Sequence, residues 1–173
     1  MFKISVLETP PISGEYNEYR YNAAGDCTWV HFQRSYEDRH EEWIGIFGTG
    51  FWPPTKADAV LFPKGDTAFI IAGGAGYCID LTTKAIIYES ECDYLAECVA
   101  IETRNVIVCN DGATQILIFD ERGMTWKSER IGSDEIKFGA VEHELIHGTI
   151  YDCGKYRTYT LNFTTKKLEI SYT

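Results

Sequence analysis

The 173-residue chain has no apolar run long enough to span a membrane. Its first residues, MFKISVLETPP, do not resemble a signal peptide, because the apolar stretch is short and Glu8 and two prolines follow at once. None of the six cysteines forms a C-x-x-C pair, which argues against zinc-knuckle and thioredoxin-type motifs. We therefore expect a cytoplasmic protein with free thiols, no cofactor and no membrane partner.

Positive charge is also scarce. The chain has 16 Lys and Arg residues against 26 Asp and Glu residues, a net charge of −10. Nucleic acid is therefore not an expected partner, since its phosphates would repel the chain. Two interpretations remain: the acidity attracts a basic protein over long range, or it provides solubility alone.

Helical periodicity is missing as well, because no segment of ten or more residues repeats its apolar positions with a helical spacing. The residues that do recur are Thr, Ile and Val, together with 11 Tyr and 9 Phe, and these favour strands. The composition thus predicts an all-β protein.

An internal repeat is present in this β-rich chain. The string Ile79-Asp80-Leu81-Thr82-Thr83-Lys84 aligns with Leu161-Asn162-Phe163-Thr164-Thr165-Lys166, and Asp120 takes the same place between them. Asp80 and Asp120 are 40 residues apart, and Asp120 and Asn162 are 42 apart. Each string predicts a hairpin, in which an Asp or Asn side chain accepts hydrogen bonds from backbone amides of the turn.

A second marker has the same period, because the pairs Ala59-Val60, Ala100-Ile101 and Ala140-Val141 recur at steps of 41 and 40 residues. The chain is therefore predicted to be one all-β domain, residues 1–173, of about four antiparallel units with four strands each. The predicted units are 15–50, 55–90, 95–132 and 134–173, and residues 2–8 form an additional strand. These units resemble the blades of β-propellers, which implies a small propeller-like array. A β-sandwich or an open meander is the alternative.

The string His143-Glu144-Leu145-Ile146-His147 matches the H-E-x-x-H motif of zinc peptidases. That motif requires a helix, which places both histidines on one face toward the metal. Here the repeat places the string on a hairpin, and no third ligand follows at the usual spacing. We therefore predict no metal site and no enzymatic activity, and keep a zinc site through His143 and His147 only as an alternative.

Two stretches surround aromatic residues with acids, and we predict that they form the binding surface. SYEDRHEEWIG (35–45) and ESECDYLAE (89–97) each contain four acidic residues. In a third stretch, GTGFWPP (48–54), Phe51 and Trp52 either are exposed and extend this surface or are buried as a plug between two units. The predicted contact residues are Tyr36, Glu37, Asp38, Glu41, Glu42, Trp43, Trp52, Glu89, Glu91, Asp93 and Tyr94.

These features favour a small acidic protein-binding module. By analogy of class, it would be a bacterial immunity protein, an antidote that inhibits a basic toxin such as a nuclease. The first alternative is a carbohydrate- or metabolite-binding repeat protein, which would use exposed Trp and Tyr residues. The second alternative is the zinc metallopeptidase.

Overall fold

A computed structural model describes residues 1–36, 39–53 and 55–171, and the regular secondary structure of these residues is entirely β-strand. The strands form four sheets of four. The first sheet contains β1 (Phe2–Leu7), β2 (Asn17–Tyr21), β3 (Cys27–Tyr36) and β4 (Arg39–Gly48). The second contains β5 (Ala57–Leu61), β6 (Thr67–Ala72), β7 (Ala75–Asp80) and β8 (Ile86–Glu89). The third contains β9 (Glu97–Ile101), β10 (Val106–Asn110), β11 (Ile116–Asp120) and β12 (Gly123–Lys127). The fourth contains β13 (Glu135–Glu142), β14 (Leu145–Asp152), β15 (Lys155–Asn162) and β16 (Lys167–Ser171).

The predicted all-β array of four four-stranded units is confirmed. In the second, third and fourth sheets, consecutive strands pair antiparallel in chain order. No helix that could span a membrane occurs in the described part of the chain.

The repeated hairpin turns have the predicted local cause. Asp80 Oδ1 accepts hydrogen bonds from the amides of Thr82 and Thr83, at 2.9 and 2.7 Å. Asn162 Oδ1 accepts the same pair of bonds from the amides two and three residues later, at 3.0 and 2.8 Å. Each of these two turns ends in a lysine with a φ of 61°, Lys84 and Lys166. The two turns are therefore built alike at corresponding places of different sheets.

The first sheet differs from the prediction. The predicted strand at residues 2–8 is present as β1, but it is one of the four strands of the first sheet and not an addition to them. β1 pairs along its whole length with β3, from Phe2 opposite Arg34 to Leu7 opposite Trp29. The strand order is β1-β3-β4-β2, and β2 runs parallel to β4. The N-terminal segment therefore supplies both edges of this sheet, and the loop that joins β1 to β2 crosses from one edge to the other.

The sheets pack face to face in chain order. One hydrophobic cluster joins the first and second sheets, a second joins the second and third, and a third joins the third and fourth. Among the described residues, no hydrophobic cluster contains side chains from both the first and the fourth sheet. The four sheets thus form a linear series, in which β5 lies beside both β1 and β9.

Contacts between neighbouring sheets repeat the period of the sequence. The amide of Lys64 donates to Asn105 Oδ1 at 2.9 Å, across 41 residues, and Arg104 pairs with Glu144 at 2.6 Å, across 40. Lys166 Nζ donates to the carbonyl of Thr125 at 3.1 Å, again across 41 residues. A spacing of 40–42 residues in the sequence therefore corresponds to one step between adjacent sheets.

A candidate protein-interaction site at one end of the sheets

The candidate site is formed where two connections between sheets lie side by side. One connects β4 to β5, and the other connects β8 to β9. The amide of Phe51 donates to the carbonyl of Asp93 at 3.0 Å, and the indole Nε1 of Trp52 donates to the carbonyl of Tyr94 at 3.2 Å. The structure therefore brings together the predicted stretches 48–54 and 89–97, which are about 40 residues apart in the sequence.

Phe51, Trp52 and Tyr94 form what we call the aromatic cluster. The ring of Phe51 lies 5.2 Å from that of Trp52 and 4.9 Å from that of Tyr94, measured between centroids, and the last two rings are 6.2 Å apart. Such distances are those of rings in mutual contact, so they leave no space between them for a ligand. The cluster is a solid projection and not an open cage.

The aromatic cluster is exposed to solvent. Phe51 is 65 % exposed and Tyr94 is 48 % exposed, while Trp52 is half-buried beneath them. The interpretation of Phe51 and Trp52 as a plug between two units is therefore wrong for Phe51. Large rings that remain exposed next to each other are a common feature of protein-binding surfaces.

The turn between β6 and β7 packs against the backbone of the two connections that carry this cluster. Gly73 and Gly74 have φ angles of 52° and 100°, which favour glycine. A Cβ atom on Gly74 would lie 2.2 Å from the carbonyl oxygen of Asp93, and one on Gly73 would lie 2.4 Å from that of Trp52. The amide of Trp52 donates to the Gly73 carbonyl at 2.7 Å. The glycines of the string GGAG (73–76) therefore allow the close approach of these backbone segments.

Two carboxylates are close in sequence to the cluster and are free to interact. Glu91 and Asp93 are exposed, and neither forms an ion pair within the described residues. Glu89, by contrast, accepts a hydrogen bond from Asn22 Nδ2 at 2.6 Å and so connects the second sheet to the first. The candidate site thus comprises Phe51, Trp52, Glu91, Asp93 and Tyr94.

The other predicted stretch, 35–45, does not form such a site. Trp43 was predicted to be an exposed anchor, but it is only 1 % exposed and its ring stacks on that of Phe32 at 3.8 Å. It is buried because it lies within β4, on the face of the first sheet that packs against the second. Tyr36 is 61 % exposed. Glu37 and Asp38 lie outside the described residues.

The two acids of this stretch have partners within the chain. Glu41 pairs with Lys84 Nζ of the second sheet at 2.5 Å. Glu42 points to the opposite face, where it hydrogen-bonds to His40, to Gln33 Nε2 at 3.0 Å and to His31 Nε2 at 3.2 Å. The bond from His40, followed by that from Gln33, holds the pKa of Glu42 below its usual value. Both carboxylates therefore take part in internal interactions.

The exposed ring of the stretch 35–45, that of Tyr36, is far from the aromatic cluster. Tyr36 is at the hairpin end of β3 and β4, whereas the cluster follows the other end of β4. β4 is ten residues long, which corresponds to roughly 33 Å at about 3.3 Å per residue. Tyr36 and the aromatic cluster therefore do not form one continuous surface.

The H-E-x-x-H string lies on the hairpin between β13 and β14. His143 is in the turn with a φ of 53°, and His147 is on the strand, where its Nδ1 lies 3.1 Å from Thr160 Oγ1. Glu144 pairs with Arg104, and this contact lowers the pKa of its carboxyl. The hairpin lacks the helical face that the peptidase motif requires. No group of three or more His, Cys, Asp or Glu side chains in the described ranges is placed to hold a metal ion.

All six cysteines are free. The surroundings of two of them, Cys78 and Cys98, disfavour the thiolate form. Burial raises the pKa of Cys78 to about 12. The pKa of Cys98 is raised by its contact with the Cys109 thiol, then by burial and by the carboxylate of Asp58. These thiols are therefore poor nucleophiles at neutral pH.

No family model matches the chain, and neither does the sequence of any curated protein. Among solved structures, it is similar to the β-propeller domain of Cps50 (Swd1) from Myceliophteria thermophila, with a TM-score of 0.52 and 12 % sequence identity. The match covers 84 % of this chain and 54 % of that one, so the chain spans about half the length of the domain it resembles. The fold is β-propeller-like. At this identity the likeness concerns the fold alone.

Proposed function

We propose that this chain is a protein-binding module for a basic partner, and that the aromatic cluster is its anchor. The observation that carries the proposal is the solvent exposure of Phe51 and Tyr94 on a backbone that hydrogen bonds hold in place. Rings that are exposed and already ordered lose little conformational entropy on binding.

The shape of the site limits what the partner can be. Because the three rings are in mutual contact, the cluster projects outward and its complement is a concave, apolar pocket. Glu91 and Asp93 have no ion-pair partner among the described residues, so their complement is a rim of Lys or Arg side chains. The net charge of −10 acts in the same direction over longer range.

A basic toxin of the nuclease type has the properties that this site requires. The active site of a nuclease is a concave surface, and it is rich in Lys and Arg because it binds phosphates. An antidote that inserts an aromatic projection into such a cleft, with acids around it, would exclude the nucleic acid. The proposed biological class is therefore an immunity or antidote protein.

The experiment is a capture from the proteome of the source cells on three immobilised forms of the chain. The first is the natural chain, and the second carries Phe51→Ser and Tyr94→Ser. The third carries Tyr156→Ser, which removes an equally exposed ring, 64 % exposed, from the fourth sheet. We expect a basic protein to be retained by the first and third forms and lost from the second.

Equal retention on all three forms would show that the aromatic cluster does not bind the partner. A retained protein that is acidic would contradict the proposed charge complementarity. If a basic partner is identified, addition of the purified chain should inhibit its activity, and the double variant should inhibit it much less.

A further inference from the structure

A cleft that the proposed protein interaction does not use lies at the ends of the strands opposite to the aromatic cluster. Its volume is about 570 Å³, and it lies where the start of β1 meets the ends of β5 and β9. Its apolar lining includes Phe2, Leu61, Phe62 and Ala100. The volume falls within the range of about 300–1,000 Å³ that is usual for small-molecule sites.

One wall of the cleft carries a cation without a carboxylate partner. Arg34 is half-buried, and its guanidinium carbon lies 5.0 Å from the centroid of the Phe2 ring. The residue directly opposite on β4 is Glu41, which pairs instead with Lys84. Within the described ranges no acid lies within ion-pair distance of Arg34. Its planar group of N–H donors is therefore available to a ligand.

Two carboxylates also line this cleft and come from other sheets. Asp66 is in the turn between β5 and β6, and Glu102 is in the turn between β9 and β10. Both side chains are exposed, and neither carboxylate forms an ion pair with a described residue. The side chains of the cleft thus combine one cation, two anions and an apolar lining, contributed by three successive sheets. Met1 also lines the cleft, and its N-terminal ammonium donates to the carbonyl of Ser35 at 2.6 Å.

We propose that this cleft binds a free amino acid with a large apolar side chain. The carboxylate of such a ligand would accept a pair of hydrogen bonds from Arg34, the geometry in which guanidinium groups bind carboxylates best. Its ammonium group would pair with Asp66 and Glu102, and its side chain would lie on the apolar lining. A molecule with both charges can pair with Arg34 and with the two acids at once, which neither a simple anion nor a simple cation can do.

The test is a calorimetric titration of the whole chain with phenylalanine and three blocked derivatives. These are N-acetylphenylalanine, phenylalanine amide and the doubly blocked N-acetylphenylalanine amide. We expect phenylalanine to bind and each blocked form to bind at least about tenfold more weakly, since each loses a charge-assisted hydrogen bond. Binding of phenylalanine should also fall about tenfold in Arg34→Gln and in the double variant Asp66→Asn, Glu102→Gln.

Arg20→Gln is the matched control, because this arginine is 67 % exposed on the outer strand of the first sheet and does not line the cleft. Arg34→Lys separates charge from geometry: it keeps the cation but loses the paired donors, so it should bind more weakly than the natural chain. The Phe51→Ser, Tyr94→Ser variant should bind phenylalanine normally, which separates this proposal from the protein-binding one.

Three results would overturn the proposal. The first is the absence of heat and of any chemical-shift change with phenylalanine up to its solubility limit. The second is equal binding of the doubly blocked derivative. The third is equal binding of phenylalanine to Arg34→Gln when the unfolding temperature of that variant shows that it is folded.

Discussion

The stretches 35–45 and 89–97 are both rich in acids around an aromatic residue, yet the aromatic residues Trp43 and Tyr94 have opposite exposure in the structure. Each contains four acids near an aromatic residue. In the first, Trp43 is buried against Phe32. In the second, Tyr94 is exposed beside Phe51. Composition alone therefore does not decide which aromatic residue reaches the surface.

The difference comes from the backbone element on which each stretch lies. Most of 35–45 belongs to the long β3–β4 hairpin, so its side chains alternate between two covered or partly covered faces. Trp43 takes the inner face and Glu42 the outer face. Residues 90–96 connect two sheets and belong to no strand, so no paired strand fixes which of their side chains face a sheet. In this connection Leu95 is buried and Tyr94 is exposed.

The largest expected effect that sharpens this comparison is on stability. Trp43→Ala should lower the free energy of unfolding by about 3–5 kcal/mol, since it empties a large buried volume. Tyr94→Ala should lower it by less than about 1 kcal/mol, because the ring is half-exposed. Chemical denaturation of both variants checks this. A similar loss in both would mean that the two stretches do not differ as described.

The second effect is on binding to the basic partner. Phe51→Ala and Tyr94→Ala should each weaken binding by about 2 kcal/mol, or roughly 30-fold, mainly through faster dissociation. Tyr36→Ala removes an exposed ring of the first stretch and should leave the dissociation rate unchanged. Surface plasmon resonance with the captured partner measures both, and a loss with Tyr36→Ala alone would move the site to the other end.

A smaller effect is expected on the association rate. Glu91→Gln with Asp93→Asn should slow association by about two- to fivefold at low salt and reduce its dependence on salt. Glu41→Gln should change the rate less, because the carboxylate of Glu41 already pairs with Lys84. Stopped-flow kinetics at two salt concentrations distinguish these cases. Association that is indifferent to Glu91, Asp93 and salt would leave the acidity with a role in solubility only.

The smallest effect is on the pH dependence of stability. The hydrogen bonds to Glu42, first that from His40, lower its pKa in the folded chain. The unfolded chain therefore takes up this proton at a higher pH than the folded chain does, so the stabilisation is present above the unfolded pKa and is lost as the pH falls through the folded pKa.

Glu42→Gln should consequently flatten the acid limb of the stability profile below about pH 5, where an unfolded glutamate begins to take up its proton. Glu91→Gln is the control from the second stretch, because it removes a carboxylate that forms no ion pair with a described residue. Denaturation at a series of pH values provides the measurement. An unaltered acid limb in Glu42→Gln would show that its hydrogen bonds do not contribute to the folded state.

Much of the fold was predictable because its causes are local. Asp80 and Asn162 each form their turn with residues two and three positions away, so the turn can be read from adjacent letters. The 40–42 residue period was equally visible, because each unit repeats the same hairpins. The pairing of β1 with β3 was not predictable in this way. β2 lies between them in the chain, and no residue pattern near β1 or β2 indicates that these two strands do not pair with each other.

The sequence by itself determined that the chain is all-β, that it has four repeating units and that it is acidic. The alternation of apolar residues and the chemistry of the turns depend on residues close together in the sequence, and the net charge is a count of charged residues. Only the tertiary structure decided that Trp43 is core and Phe51 is surface, and that Phe51 and Trp52 meet Tyr94. It also decided that Arg34, Asp66 and Glu102 share one cleft. These outcomes depend on how the sheets and their connections pack against each other, which brings together residues that are far apart in the sequence.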